Sequence, residues 1–136
     1  MTAATPALLS IRDLVLRYST AAGGNQTLAA VNGVSFDIQA GGIFGLVGES
    51  GSGKSSLAHA IVQLARPTAG EILFRGENLL EKRGKDLRDA RRNIQLVFQD
   101  PMASLSPRRN ILQSLIEPLD HFRIGASRKR HSMVSM

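Results

Sequence analysis

The chain has 136 residues, of which 43% are hydrophobic and 21% charged, with a formal net charge of +6 and no cysteine. This composition is typical of a globular chain with a hydrophobic core, and it excludes a disulfide framework, thiolate metal ligands and a cysteine nucleophile. No apolar run approaches the ~20 residues that span a bilayer, and residues 1–14 lack the pattern of a signal peptide, so we expect a reducing cytoplasmic setting.

The positive charge is concentrated near the C-terminal end. Residues 121–136 contain four Lys or Arg and no acid, which leaves 13 basic and 11 acidic residues in the rest of the chain. Aromatic residues make up only 4%, too few for a base-stacking surface, so the composition argues against nucleic acid as the main partner. We expect a domain over residues 1–120 and a basic, disordered tail over residues 121–136.

The first predicted elements are strands. Residues 8–18 (LLSIRDLVLRY) predict a strand with one solvent-facing side, and residues 31–38 (VNGVSFDI) alternate as a second half-buried strand. The glycine-containing segment 21–26 predicts a turn between them. Residues 43–47 (IFGLV) are apolar on both faces, which predicts a central strand of a parallel sheet.

A helix is predicted next, because Leu57, Ile61 and Leu64 recur at helical spacing before a stop at residues 67–70 (PTAG). The remaining elements are shorter. They are a strand at 71–74, a turn at 75–78, a polar helix at 85–92, an apolar strand at 94–98 and a helix that runs from 110 to 116, before Pro118.

One motif carries chemistry. The eight residues from Gly48 to Ser55 read GESGSGKS and match G-x-x-x-x-G-K-[ST] at every position. The glycines let backbone N–H groups wrap a phosphate chain, and the following helix directs its positive end at the phosphates. Lys54 would contact the β- and γ-phosphates and Ser55 would ligate Mg²⁺. A Gly/Ser-rich turn would explain the glycines but not Lys54 and Ser55. The candidate nucleotide-binding residues here are Gly48, Glu49, Ser50, Gly51, Ser52, Gly53, Lys54, Ser55 and Ser56.

From about Leu8 to about Leu119 the chain resembles the N-terminal part of the ATP-binding subunit of an ABC transporter. Residues 45–64 (GLVGESGSGKSSLAHAIVQL) resemble the Walker A region, residues 66–76 (RPTAGEILFRG) the connection after it, and residues 94–101 (IQLVFQDP) the Q-loop. The run FQDPMASLSPR at 98–108 is most similar to the branch that imports dipeptides and oligopeptides. Met102 and Ser106 stand where that branch commonly has an aromatic residue and an asparagine.

The resemblance implies an α/β fold of the P-loop NTPase class, with an ABC-type antiparallel part and a parallel core sheet with helices, here incomplete. It implies ATP and Mg²⁺ as cofactors, with Ser55 and Gln99 near the metal. Tyr18 stands where the family stacks an aromatic ring on adenine; alternatively it packs on neighbouring strand residues. Gln99 matches the family's glutamine near Mg²⁺ and the attacking water; alternatively it is a polar residue that ends a strand.

The resemblance also implies partners and a location. They are transmembrane permease subunits, a second ATP-binding subunit and a peripheral position on the cytoplasmic face of the inner (plasma) membrane, or the soluble cytoplasm if the chain does not assemble. We therefore expect the ATP-binding component of a bacterial ABC importer for peptides. The alternative is a catalytically inactive gene remnant that at most binds nucleotide or a transporter partner.

Two family motifs are not found after Gln99. The acids there are Asp100, Glu117 and Asp120; Asp100 belongs to the Q-loop itself, and the other two do not follow an apolar strand as a Walker B carboxylate does. No LSGGQ-type signature is present. We expect a chain truncated before these motifs that does not hydrolyse ATP alone, because phosphoryl transfer needs a metal-binding carboxylate and a group that positions water. No catalytic residue is assigned.

Overall fold

The computed structural model describes residues 6–19, 27–100, 105–126 and 129–134, without the side chain of His131. The predicted turn at 21–26, residues 101–104 of the importer-like run, and residues 127, 128, 135 and 136 of the predicted tail lie outside the described residues. The elements are β1 (Leu9–Ser19), β2 (Thr27–Ile38), α1 (Lys54–Ile61), β3 (Ala69–Phe74), β4 (Glu77–Asn78), α2 (Gly84–Arg91), α3 (Ile111–His121) and α4 (Arg130–Val134).

The chain divides into two compact units, which are described separately. The first unit extends to Leu87 and the second begins at Arg88. The predicted boundary after residue 120 stays a prediction. None of the described helices has the length and apolarity that a membrane span needs.

Four strands of the first unit form one antiparallel sheet in the order β2–β1–β3–β4. The predicted antiparallel part is thereby confirmed. Ile11, Leu14 and Leu16 of β1 are buried, and the spacing of three between the first two breaks the strand alternation. The break is a bulge at which the pairing register shifts and Asp13 takes φ 43°. Its backbone N–H donates to the Ser35 hydroxyl of β2 at 2.8 Å.

The turn predicted at 75–78 is a tight two-residue reversal at 75–76, because residues 77–78 form β4. Arg75 and Gly76 have φ values of 52° and 80°, and Phe74 pairs with Glu77 on either side of them. Positive φ at both central residues gives the turn twist that matches paired strands. The Arg75 guanidinium lies over the Phe74 ring, 5.2 Å from its centroid.

The core of the first unit is made by the sheet and α1. Leu57 and Ala60 of α1 are buried together with apolar residues of the sheet and with Leu79, which follows β4. The predicted helix is confirmed in position, but its buried face is shorter than the spacing of Leu57, Ile61 and Leu64 indicates. The helix ends at Ile61 and Leu64 is 61% exposed, because Gln63 takes a left-handed φ of 57° and turns the chain away.

The central parallel strand predicted at 43–47 and the apolar strand predicted at 94–98 are wrong. Residues 43–47 and 94–98 are irregular, and no described residue pairs with either segment. Val47 is 92% exposed and Val97 is 86% exposed. The apolar sequence suits a strand, but a strand also needs a hydrogen-bonded neighbour, and that requirement is not written in the segment itself. Segment 43–47 is held instead by Phe44, whose ring stacks on Phe36 of β2 at a centroid distance of 4.6 Å.

The second unit contains α3 and α4. The Asn110 side chain caps α3 in a reciprocal capping box with Gln113. The helix was predicted to stop before Pro118 but continues to His121. Proline lacks an N–H and its ring crowds the preceding turn, but its φ is helix-compatible and its carbonyl still accepts from Phe122 N–H at 3.0 Å, so the last turn forms. Within the predicted tail, residues 130–134 form α4, and Arg130 forms an ion pair with Asp120.

Candidate nucleotide-binding site

The glycine-rich loop, residues 48–53, lies between segment 43–47 and α1, and its last residue, Gly53, is in close contact with the sheet. Gly53 precedes the helix with φ 90°. A Cβ at this position would lie 2.0 Å from the carbonyl oxygen of Ala30 in β2. Both the backbone conformation and the space therefore require glycine, and β2 determines where the loop ends and the helix begins.

The N-terminus of α1 is open to a ligand. The described structure shows no side-chain cap at Gly53 and no acidic residue in the first turn. The first N–H groups of a helix have no partner inside it, and they carry the positive end of the helix dipole. Residues 48–52 are exposed, as is Ser55 in the first turn. This arrangement suits an anionic ligand such as a phosphate chain.

Lys54 brings a positive charge into the curve of the loop. Its Nζ donates to the carbonyl oxygens of Gly48 and Glu49, both at 2.7 Å, and to the Ser52 hydroxyl at 3.3 Å. The Ser52 N–H donates to Glu49 O at 3.2 Å, which closes a turn inside the loop. The loop therefore surrounds the Lys54 ammonium, beside the N–H groups of the first turn of α1.

A cavity of about 350 Å³ lies beside the loop. Its wall is mainly apolar and comes from β2, from Leu46 and Val47, and from Leu57 of α1, while Ser52 and Lys54 contribute polar groups. An apolar wall with a few convergent polar groups is typical of small-molecule sites.

The residues fit ATP and Mg²⁺ in different degrees. The open helix end and the Lys54 ammonium suit the phosphates directly. The described residues contain no cluster of three or more His, Cys, Asp or Glu side chains that could hold a metal ion by itself. Mg²⁺ keeps several waters and binds through few protein ligands plus substrate phosphates, so the exposed Ser55 hydroxyl at this helix end is a suitable ligand.

The other two predicted site residues have different placements. Tyr18 of β1 pairs with Leu28 of β2, and its side chain is 41% exposed. Leu28 lies two residues before Ala30, which the loop approaches at Gly53. Tyr18 and Gly53 of the loop therefore both lie next to the first half of β2. Gln99 lies in an exposed bend of the second unit, outside the unit that holds the loop.

The sequence profile of the ABC transporter family matches residues 31–134. The chain belongs to the ABC transporter family. It is similar to a putative peptide import ATP-binding protein of Brucella ovis, with 44% identity over 123 residues, which are 90% of this chain and 38% of that protein. It is also similar to the oligopeptide transport ATP-binding protein OppF of Haemophilus influenzae, with 51% identity over 69% of this chain and 28% of that protein. The names of these relatives confirm the predicted resemblance to the peptide-importer branch.

Solved ABC cassettes share the fold. The dimeric bacterial ABC transporter cassette MJ0796 aligns with a TM-score of 0.75 and 26% identity, over 91% of this chain and 53% of the cassette. A post-hydrolysis state of the same cassette, bound to ADP and Pi, aligns with a TM-score of 0.73. The fold class is thereby confirmed as an ABC ATPase cassette. The chain spans 38% of the length of the first curated relatives that it matches.

One contact that supports this ABC loop is not visible in the sequence. Ala30 contributes only a backbone carbonyl to the contact with Gly53, so no side-chain pattern marks it. The one available signal is Gly53 itself, because a glycine directly before a helix is typical either of a positive φ or of close approach by another chain segment.

Two ion pairs of the first unit perturb the titration of their members. Arg12 and Ser10 of β1 both donate to Asp37 of β2, at 3.1 and 2.6 Å, and these hydrogen bonds, Arg12 first, lower the pKa of Asp37. Lys82 donates to Glu77 at 2.6 Å, which lowers the pKa of Glu77 and raises the pKa of Lys82. The first pair joins β1 to β2 and the second joins β4 to the segment after it, and neither includes a residue of the loop.

Proposed function

We propose that the chain is the nucleotide-binding part of the ATP-binding component of a bacterial ABC importer for peptides. The observation that carries this proposal is the complete phosphate-binding loop, which is locked to β2 at Gly53 and followed by an uncapped helix end. The peptide substrate is suggested by the names of the relatives. The partners in this proposal are permease subunits and a second ATP-binding subunit at the cytoplasmic face of the inner membrane.

The loop and α1 would bind the phosphates of ATP. The N–H groups of the first helical turn donate to the phosphate oxygens, and Lys54 exchanges neutral carbonyl partners for anionic oxygens, which accept stronger hydrogen bonds. Ser55 would hold Mg²⁺, which would neutralise phosphate charge, and the role of Gln99 near the metal stays a prediction. Tyr18, with its exposed ring, would stack on the adenine.

Calorimetric titration with Mg-ATP tests the proposal, with Lys54→Ala as the variant. Loss of a charge-assisted hydrogen bond to phosphate is expected to weaken binding by about 1.5–3 kcal/mol, which is about tenfold or more. Lys85→Ala is the matched control, because Lys85 is an exposed lysine of α2 and its removal changes the net charge by the same amount. We expect this control to bind like the wild type at the same ionic strength.

Mg-AMP is the ligand control, because it lacks the β- and γ-phosphates that the loop is proposed to hold. Equal affinity of the wild type and Lys54→Ala for Mg-ATP would contradict the proposal. Equal weakening by Lys54→Ala and Lys85→Ala would also contradict it, because the effect would then come from net charge and not from the loop.

A further inference from the structure

The C-terminal end of α1 has an unusual residue at its turn. The Gln63 N–H donates to Ala60 O at 2.9 Å and the Leu64 N–H donates to His59 O at 2.8 Å, which is the hydrogen-bond pattern of a Schellman motif. The residue at the turn of this motif is left-handed and is usually glycine. Here it is Gln63, with φ 57°. A glutamine carries backbone strain at this position that a glycine would not.

The side chain of Gln63 connects the helix to the sheet. Its amide Nε2 donates to the carbonyl oxygen of Leu79. Leu79 follows β4, is 2% exposed, and donates its own N–H to Ile72 O of β3 at 2.8 Å. The half-buried glutamine therefore ties the end of α1 to the base of the β3–β4 hairpin.

α1 is thus fixed at both ends by different parts of the sheet. Gly53 meets Ala30 of β2 at one end, and Gln63 meets Leu79 at the other. β2 and β4 are the two edges of the four-stranded sheet, about 14 Å apart at the usual strand spacing. The ten residue steps from Gly53 to Gln63 rise about 15 Å at helical spacing, so α1 with its two flanking residues has the length to reach across the sheet. A change in tilt at one end of such a short helix moves the other end.

We infer that Gln63 is a positioning residue of the phosphate-binding loop. Its hydrogen bond to Leu79 O sets the tilt of α1, and thereby the direction in which the N–H groups of the first turn and Lys54 are presented. The inference rests on the proposed nucleotide binding. It explains why a strained residue stands where glycine is favoured, since glycine has no side chain to reach Leu79.

Two substitutions test the inference, and a third is their control. Gln63→Gly relieves the backbone strain and removes the hydrogen bond. Gln63→Asn keeps an amide that tolerates a left-handed φ but is one methylene too short for Leu79 O. Arg75→Gly is the matched control, because Arg75 also has a left-handed φ and lies in the turn before β4, whereas Leu79 follows β4. Mg-ATP affinity, the urea midpoint of unfolding and amide hydrogen exchange of nucleotide-free protein are measured for each variant.

Both Gln63 variants are expected to bind Mg-ATP about three- to tenfold more weakly, the range that corresponds to one neutral hydrogen bond. Amides of α1 should exchange faster by a similar factor. The urea midpoint of Gln63→Gly should not fall, because relief of strain offsets the lost bond. Arg75→Gly should leave both affinity and α1 exchange unchanged. A purely structural role would lower the midpoint without changing the affinity.

The inference is overturned if both Gln63 variants bind Mg-ATP as the wild type does, or if α1 exchange is unchanged in nucleotide-free protein. Failure of the wild type itself to bind Mg-ATP would refute the proposed function instead. In that case the exchange measurement still decides whether Gln63 holds α1.

Discussion

Two glycines of the phosphate-binding loop show how space, and not only backbone conformation, decides what a residue contributes. Gly51 and Gly53 both have left-handed φ values, 81° and 90°. A Cβ on Gly51 would have no atom within 4 Å, whereas a Cβ on Gly53 would lie 2.0 Å from Ala30 O. The sequence motif specifies glycine at position 53 but leaves position 51 open, and only the structure shows that Gly51 meets a conformational need whereas Gly53 also meets a steric one.

We therefore expect different losses of stability from the same substitution. Gly51→Ala should cost up to about 1–2 kcal/mol, the strain of a left-handed L-residue. Gly53→Ala should cost at least about 1 kcal/mol more, because the loop must move away from β2 as in an overpacked core. Urea unfolding of the two variants measures the difference. Equal losses would mean that the loop moves freely relative to β2.

At the scale of elements, strands with a pattern in their own sequence were predictable, and the irregular state of two apolar segments was not. β2 alternates along its own sequence, β1 does so apart from its bulge, and β3 is a short apolar run, whereas β4 was predicted as part of the turn at 75–78. Chain neighbours pair in β1–β2 and in β3–β4, but β1 also pairs with β3, which is distant in the chain. Segments 43–47 and 94–98 have the apolar character of buried strands, but their pairing depends on residues that their own sequence does not specify.

The site shows the same division. The loop residues and the helix after them were predictable because the motif is contiguous and each residue type has a direct role with phosphate. The supports at Ala30 and Leu79 were not predictable, since each acts through a backbone carbonyl. The bulge in β1 had a weak signal in the three-residue spacing of Ile11 and Leu14, which interrupts a period of two.

The ion pair between β1 and β2 gives these elements a pH dependence. Hydrogen bonds from Arg12 and Ser10 lower the pKa of Asp37 in the folded state. A carboxyl with a lowered folded pKa stabilises the fold above its ordinary pKa, about 3.9, and this contribution is lost as the pH falls through the lower folded value. The pair is partly exposed to solvent, so its contribution is small.

Asp37→Asn should therefore destabilise the chain at pH 6, and the difference from the wild type should shrink as the pH falls from about 5 to 3. Urea unfolding at several pH values measures this difference. Asp89→Asn, at an exposed position of α2, is the control for the loss of one negative charge. A wild-type advantage that stays constant down to pH 3 would show that Asp37 acts through packing and not through its charge.

At the scale of the whole molecule, the main feature is apolar surface on segments with strand-like sequence. Val47 in the first unit and Val97 in the second are 92% and 86% exposed. Each lies in an irregular segment whose backbone groups have no ladder partner among the described residues. Unpaired apolar segments of this kind are templates for association with another chain. The chain also spans only 38% of the length of the first curated relatives that it matches.

We expect the purified 136-residue chain to self-associate as its concentration rises, and we expect Val47→Thr with Val97→Thr to reduce this association. Burial of one valine side chain contributes about 1.5 kcal/mol or more, whereas threonine keeps the shape and strand preference but adds a hydroxyl that resists burial. Because both residues are exposed, the unfolding free energy should stay within about 0.5 kcal/mol of the wild type. Sedimentation velocity over a concentration series measures the association. If the double variant associates as strongly as the wild type, backbone pairing alone drives it; if the wild type stays monomeric throughout, these segments are not association surfaces at all.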